Sequence, residues 1–521
     1  MGDTPILIAG AGPTGLVLAL SLAHCGVPFR IIDENSGPGE HSRAMAVHAR
    51  TLEFYGQFGF ADEIVDAGVK TNTVHVHEGG DGAGHEVITV SFKDLGEGIS
   101  PYPFLLTYPQ DDHERFLVDK LKSLGCNIEW NAKLTRFTQD GKGVNATIQH
   151  ANGVVEEAKA SYICGCDGVQ SKVRESLAIG FPGGTYEQIF YVADVKIASG
   201  FDREFNANFG EHTLALMLPV RSSGMQRIIG LVPRDSWKKI RDLTFEDLRA
   251  RVEQIFNIRV TEVNWFSAYR VHHRVAEHFR VGRAFILGDA GHVHSPLGGQ
   301  GMNTGIGDAI NLGWKLAQVT QGRADNKLLD TYEPERIEFA RTLVSTTDRA
   351  FTPIVSGGLR GELTRRLLLP FFLGVATRFE LSRHKLFRAL SQTEVQYSAS
   401  PLSEGEAGGV RGGDRLPWLG PGTDDNFAPL RSLDWQLHVY GDTAPEIVQL
   451  CKSLNLPLRQ FSWSEFAEKV GLKRDAIYLV RPDGYVALAA TEDGANKLKS
   501  FAERFGIRFV LAEPDQEKAA F

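Results

Sequence analysis

The chain has 521 residues, 42% hydrophobic and 23% charged, with a formal net charge of −8 and no lysine- or arginine-rich block. That length exceeds one ordinary core, so roughly two to four domains are expected, and the charge argues against a nucleic acid partner. Five cysteines (Cys25, Cys126, Cys164, Cys166, Cys451) without a C-x-x-C pair point away from a disulfide framework or a zinc site and toward a reducing compartment, the cytoplasm.

The N-terminus opens directly into an apolar strand, Pro5 to Ala9, with no signal-like stretch before it. Gly10-Ala11-Gly12-Pro13-Thr14-Gly15 follows, then an apolar helix from Leu16 to Ala23, and then a second strand, Phe29 to Ile32, ending in Asp33. This is a β-turn-α-β unit with an acid 18 positions after the last glycine. In such a unit Gly10 permits the tight turn, Gly12 lets a pyrophosphate approach the backbone and Gly15 lets helix pack on strand. Asp33 can bind the ribose hydroxyls of an adenosine.

His41-Ser42-Arg43-Ala44 comes next, with Arg43 as a charge partner for a phosphate or a surface arginine, and Val47 to Glu53 opens a helix that includes His48. Residues 72 to 104, with a Gly79-to-Gly84 turn, read as strands and loops of a second layer, and Gln110 to Leu124 reads as a helix. Residues 144 to 164 read as two antiparallel strands joined at Asn152-Gly153, leading into Cys166-Asp167-Gly168 and a helix start carrying Ser171 and Arg174. Four β-rich runs between residues 185 and 270, interrupted by a helix from Thr244 to Phe256, predict a mixed sheet suited to lie over a ligand.

The richest stretch is Gly288-Asp-Ala-Gly-His-Val-His-Ser-Pro-Leu-Gly-Gly-Gln-Gly-Met-Asn303. It follows the buried strand Ala284 to Leu287 and ends at a helix whose apolar face is Met302, Ile306, Ala309, Ile310, Gly313, Leu316 and Ala317. Free N–H groups at such a helix start attract negative charge, and Asp289 is placed to accept hydrogen bonds from hydroxyls. A ligand with a polyol tail and an anionic head fits, and a reduced flavin is one.

Three motifs in this order (G-x-G-x-x-G, Cys166-Asp167-Gly168 and Gly288-Asp289), with Pro296-Leu-Gly-Gly-Gln-Gly-Met-Asn303, resemble the single-component FAD-dependent aromatic hydroxylases, the para-hydroxybenzoate and phenol hydroxylase relatives. The resemblance covers about residues 5 to 345. It implies an α/β fold: a Rossmann-type FAD-binding domain with an inserted mixed β-sheet substrate domain. It also implies that Gly10, Gly12, Gly15 and Asp33 bind the ADP half of FAD, and that Arg43 and Gln110 contact its pyrophosphate and ribityl region. Asp167 would lie by the pyrophosphate, Gly288-Asp289 would hold the ribityl chain, and Pro296, Gly299, Gly301, Met302 and Asn303 would line the flavin ring. NADPH or NADH would reduce the flavin transiently, and O2, carried as a flavin C4a-hydroperoxide, would hydroxylate an aromatic substrate. Baeyer–Villiger or epoxidising chemistry on the same fold is an alternative, and a flavin-binding protein without turnover is another. Glu34, where relatives often carry a basic residue, and Gly291, where they commonly carry alanine, depart from the pattern.

For the residue that binds or deprotonates the substrate, the candidates are His48, Tyr191, Arg221 and Tyr269, with His272 and His294 beside them; His292 and Arg270 stand in motif flanks. No metal site is expected.

Residues 346 to 403 read as helical and apolar. Their longest apolar run, Leu367 to Ala376, contains Pro370 and is about half of a membrane span. A glycine-rich linker, Glu404 to Gly413, precedes a strand (Trp435 to Tyr440), a helix (Pro445 to Leu454), a strand pair turned by Pro482-Asp483-Gly484, and a closing helix (Ala495 to Phe505). This tail resembles the thioredoxin-like C-terminal domain of the phenol hydroxylase branch. With Cys451 alone it lacks dithiol chemistry, which leaves a structural or interface role. The expected division is residues 1–75, 105–182 and 270–345 for FAD, 76–104 and 183–269 for substrate, 346–403 as a helical segment and 404–521 as the tail domain. A homodimer is one assembly left open.

Overall fold

The computed structural model describes residues 4–40, 44–78, 85–198, 204–209, 214–220, 224–237, 239–355, 380–420 and 424–510. Arg43, Arg221, the Gly79-to-Gly84 turn and the Leu367-to-Ala376 run lie outside the described residues.

In the strand Thr4–Ala9, Ile6 to Ala9 are buried because both faces of the sheet are covered, as parallel strands require. Helices Pro13–His24, Gln110–Ser123 and Gln300–Thr320 cover one face. The antiparallel pair Ala132–Gln139 and Val144–His150 joins the other core layer, where Leu134, Phe137 and Ile148 meet Leu7, Ile163 and Ile286. Four strands lie side by side in the order Ala284–Ile286, Val155–Gly165, Thr4–Ala9 and Phe29–Ile32. All four run the same way, with Ile163 opposite Ala284, Ile6 opposite Tyr162 and Ile6 opposite Phe29. Their carboxyl ends therefore share one edge, and each leads into one of the sequence motifs. An open α/β sheet binds its ligands at that edge.

A second sheet of eight strands runs His292–Val293, Val260–Val275, Gly183–Ile197, Met225–Leu231, Leu214–Val220, Phe205–Phe209, Thr73–Glu78 and His85–Ser91. It is mixed: Phe205–Phe209 pairs parallel with Thr73–Glu78 and the other pairings are antiparallel. Strand alternation gives it two faces. Ile189, Tyr191, Ala193, Val195, Met217 and Ile228 pack against helix Arg249–Phe256. The alternate residues Phe190, Leu216, Leu218 and Ile229 face the first sheet's ligand edge and wall a cavity there.

The third sheet, six strands near the C-terminus, contains the parallel pair Gln436–Tyr440 and Leu458–Phe461 joined through helix Pro445–Leu454, then the antiparallel hairpin Ile477–Val480 and Val486–Ala490, then helix Gly494–Phe505. The segment expected to be a glycine-rich linker is instead a hairpin, Glu404–Ala407 with Val410–Arg411, and its first strand pairs parallel with Val486–Ala490. Its glycines serve close backbone approach rather than flexibility: a Cβ at Gly405 would strike the carbonyl of Ala489, and one at Gly412 the backbone of Glu404. Composition alone does not separate these two uses of glycine.

The tail docks through the turn of its hairpin. Asp483 accepts from the Trp314 indole at 3.0 Å, its backbone carbonyl accepts from Arg50 at 2.8 Å, and Arg481 pairs with Glu335 at 2.9 and 3.0 Å. Among the described residues no helix is long and apolar enough to cross a membrane.

Candidate cofactor and substrate site

The three motif loops leave adjacent strands and stay hydrogen-bonded to one another as they do so. Gly10 N–H donates to Ile32 C=O at 2.8 Å, Cys166 N–H to Ala9 C=O at 2.8 Å and Leu287 N–H to Gly165 C=O at 3.0 Å. Gly10 takes φ +101°, and a Cβ there would strike the Cys166 carbonyl; a Cβ at Gly15 would strike the Gly10 carbonyl. Gly288 is pressed against Thr14 in the same way. These three glycines bring turn, helix and neighbouring loop together, whereas Gly12 faces open space, with no atom within 4 Å of its Cβ position.

The loops open on a cavity of about 970 Å³. Helix Pro13–His24 starts at its edge with Gly12 as N-cap, and helix Gln300–Thr320 starts there with Gly299; neither start has a side-chain cap. Uncapped N–H groups of two helix starts thus face one cavity, the arrangement that binds phosphates and other anions. Asp289 stands exposed to the cavity's space while its walls hem the carboxyl in, and this burial raises it above the usual carboxylate range. Asp33, at the end of its strand, accepts from the Ala11 N–H at 2.6 Å and from Asn35 at 2.8 and 2.9 Å.

Of the residues singled out in the sequence, Gly12, His48, Gln110, Tyr269, Asp289, Pro296, Gly299, Gly301 and Met302 line this cavity, together with His272 and His294. Others sit elsewhere. Tyr191 is on the far face of the second sheet, its ring stacked on Phe266, because strand alternation puts Phe190 on the cavity side. Asp167 accepts from the N–H groups of Lys172 and Val173 at 2.7 and 3.0 Å, so one of its oxygens starts the next helix, while its neighbours Cys166 and Gly168 reach the wall. Asn303 uses its side chain as a brace: Oδ1 accepts from His48 N–H and Thr51 Oγ1, and Nδ2 donates to Ala46 C=O and Gly299 C=O. His292 lies below the wall against Asp308, at 2.8 Å. Arg174 clamps two loops, donating to Val169 C=O and to Ala290 C=O, both at 2.7 Å.

The part of the cavity away from the loops is walled by Val74, Val76, Phe92, Phe104, Leu218 and Trp265, with Leu386, Phe387 and Leu390 of helix Glu380–Ser391 closing one side. None of these was singled out in the sequence; alternation along the strands is the signal that could have found Val74, Val76, Leu218 and Trp265. No lysine or arginine is among the described lining residues.

Two lining histidines are fixed as neutral rings. His48 Nε2 lies 2.8 Å from the Gly298 carbonyl and must donate to it, and His294 Nδ1 donates to the Ser295 carbonyl at 2.8 Å. Burial pushes both down to about 4 from 6.5. Between those values the unfolded chain binds more protons than the folded one, so folded-state stability is complete above pH 6.5 and is lost as pH falls toward 4. The two contributions are on the order of 3 kcal/mol each. The thermal midpoint of the apoprotein should therefore fall steeply across that window, and His48→Asn should flatten the fall; a midpoint level through the window would contradict the buried neutral assignment.

Residues 3–347 match the family described as the FAD binding domain, and the chain belongs to that family. It is 32% identical over 522 residues to a flavin-dependent monooxygenase of Mycobacteroides abscessus, covering 95% of this chain and 99% of that protein. It is 35% identical over 417 residues to 6-methylpretetramide 4-monooxygenase of Streptomyces rimosus, covering 78% and 72%. The solved anhydrotetracycline hydroxylase OxyS of Streptomyces rimosus superposes with a TM-score of 0.76 at 26% identity, covering 98% of this chain and 100% of that one. The protein is an FAD-dependent monooxygenase of the aromatic hydroxylase class, with NAD(P)H as its reductant. The two uncapped helix starts, the open Gly12 and the cavity-facing Asp289 fit the cofactor's anionic and polyol parts.

Proposed function

We propose that this enzyme hydroxylates a neutral, polycyclic phenolic substrate, consuming one O2 and one NAD(P)H and releasing one water per hydroxyl group introduced. The observation that carries the reading is the shape and lining of this cavity. At about 970 Å³ it is at the upper end for small-molecule sites, and it runs unbroken from the cofactor loops into a chamber of aliphatic and aromatic side chains. A substrate carboxylate would find no cationic partner among the described lining residues, and an unpaired buried charge is strongly disfavoured.

Bound FAD supplies the activation of dioxygen that side chains lack. The polypeptide's part is to hold and to exclude. The helix starts at Pro13 and Gln300 would hold the cofactor's negative groups, and Asp289 and Gln110 its hydroxyls. The apolar walls strip water from the substrate, and Tyr269 and His272 place polar groups for a phenol; His272 Nδ1 is engaged with Thr185 Oγ1 at 2.7 Å. His48, held neutral with a depressed pKa, serves as a hydrogen-bonding wall residue rather than as a strong base. The tail, a thioredoxin-like unit in this reading, acts as a structural partner, and the five unpaired cysteines suit a cytoplasmic location.

The test is a panel of simple phenols, hydroxybenzoates and polycyclic phenols scored for NAD(P)H oxidation and for product formed under 18O2. One labelled hydroxyl on a polycyclic product, with hydroxybenzoates inert, is expected. A label in a ring-inserted ester would assign Baeyer–Villiger chemistry instead, and turnover confined to hydroxybenzoates would overturn the substrate class.

A further inference from the structure

We propose that Asp308 is a positioning residue for FAD, and that Tyr397, at the edge of the tail, extends its hold. The geometry is a buried chain of hydrogen bonds that begins at the Asp289 loop and runs away from the cavity. Asp308 Oδ2 accepts from the Gly288 N–H at 2.9 Å and from His292 Nε2 at 2.8 Å. It therefore grips both flanks of the turn Gly288–Ala290, at whose centre Asp289 stands. Asp308 Oδ1 accepts from Arg336 Nε at 2.6 Å. Arg336 in turn donates to Tyr397 Oη and to the Thr304 carbonyl, both at 3.0 Å. The Tyr397 ring packs on that of Tyr485, 4.5 Å away, directly after the hairpin turn through which the tail docks. Asp308 is 0% exposed, His292 1%, Arg336 2% and Tyr397 4%, so water offers none of these groups an alternative partner.

None of Asp308, Arg336 and Tyr397 lines the cavity. Their influence on the cofactor passes through the loop, which Asp308 bonds directly, and through the start of helix Gln300–Thr320, where Arg336 also holds the Thr304 carbonyl. A loop already ordered in the apoprotein loses less freedom when a ligand binds, and that saving appears as affinity. The Asp289 carboxylate would otherwise have to be brought to its hydroxyl partners from a spread of conformations. The inference rests on the assignment of Asp289 to the cofactor, and goes beyond it by placing part of FAD affinity in residues that do not touch FAD.

The test compares FAD dissociation constants, from quenching of flavin fluorescence on reconstituting full-length apoprotein, with apoprotein melting midpoints. Asp308→Asn should weaken FAD by about tenfold or more, the loss of one charge-assisted bond, and Tyr397→Phe by roughly threefold. Lys315→Met is the control: Lys315 is buried on the same helix, but its ammonium is bonded to Asn311 and Glu335, away from the loop. It should lower the melting midpoint while leaving FAD affinity within about twofold of the unaltered protein. Asp308→Asn and Tyr397→Phe both within about twofold would overturn the proposal, as would a loss of affinity in Lys315→Met equal to theirs. Should Asp308→Asn not fold, Tyr397→Phe decides. If Asp289→Ala itself binds FAD normally, the site assignment fails; if only Asp308→Asn and Tyr397→Phe do, this proposal alone fails.

Discussion

Asp289→Ala is expected to purify as colourless protein with little bound FAD. The carboxylate stands at the end of the strand Ala284–Ile286, in a short turn, and projects into the cavity between the two uncapped helix starts. Hydrogen bonds to a charged group contribute roughly 1.5–3 kcal/mol each, so losing those made to ligand hydroxyls should weaken FAD by about tenfold to a few hundredfold. The backbone has little reason to change, since the turn is held by Asp308 below and by Arg174 across the loop. The melting midpoint of the apoprotein should accordingly match that of the unaltered chain. The ratio of visible to ultraviolet absorbance in the purified protein checks the expectation; a normal flavin content would remove Asp289 from the site.

Glu335→Ala should have the largest effect on stability. Its carboxylate receives Arg481 at 2.9 and 3.0 Å, Lys315 at 2.8 Å, Asn311 at 2.6 Å and Ser400 at 2.6 Å, and it is the point at which the tail hairpin meets the helix Tyr332–Val355. Arg481 keeps Asp483 as a partner, but Lys315 is left with Asn311 alone, a buried ammonium without a counter-charge. Removing one member of a buried ion cluster costs about 3–5 kcal/mol, read as a fall in melting midpoint of roughly 3–5 °C for a chain of this length melting as one unit. The same cluster predicts acid sensitivity. Burial by itself would raise the Glu335 carboxyl, but Arg481 and Lys315 hold it far below 4.5. A carboxyl depressed in the folded state stabilises fully above its unfolded value and loses that contribution as pH falls below it. Glu335→Gln should therefore melt with a shallower acid dependence below pH 4.5 than the unaltered protein. A midpoint unchanged in Glu335→Ala would mean that the cluster holds nothing together.

Much of the chemistry was legible because it is local. Gly10, Gly12 and Gly15 stand where strand turns into helix, and Asp289 stands where the strand Ala284–Ile286 ends, so their spacing alone announces a ligand edge. The tail hairpin, Ile477–Val480 with Val486–Ala490, was legible as a strand pair because Pro482-Asp483-Gly484 is a turn signal carried in three adjacent residues. Asp167 and Tyr191 show what such local spacing leaves open. Whether an aspartate after a strand faces a ligand or caps the next helix depends on one backbone rotation. Whether a strand residue faces a cavity or the opposite core depends on which side of the sheet the helix Arg249–Phe256 covers. The stripe Thr304, Asp308, Asn311 and Lys315 did carry a signal, as polar residues along one face of a helix otherwise apolar, but its meaning depended on Arg336 and Glu335 arriving from another helix.

The sequence by itself determined that this chain builds a dinucleotide-type turn, two further glycine-rich loops at strand ends and a separate βαβ-hairpin tail, because each is written in short-range steric rules for glycine, proline and apolar periodicity. Only the tertiary structure decided that the three loops share one cavity, that its far end is apolar and lacks a described cation, that the tail's Arg481 meets Glu335, and that Tyr397 meets Arg336 behind the cofactor loop. Those facts depend on which strands lie adjacent and which helices cross, and contacts between residues tens to hundreds of positions apart are set by how whole faces bury against one another rather than by any local pattern.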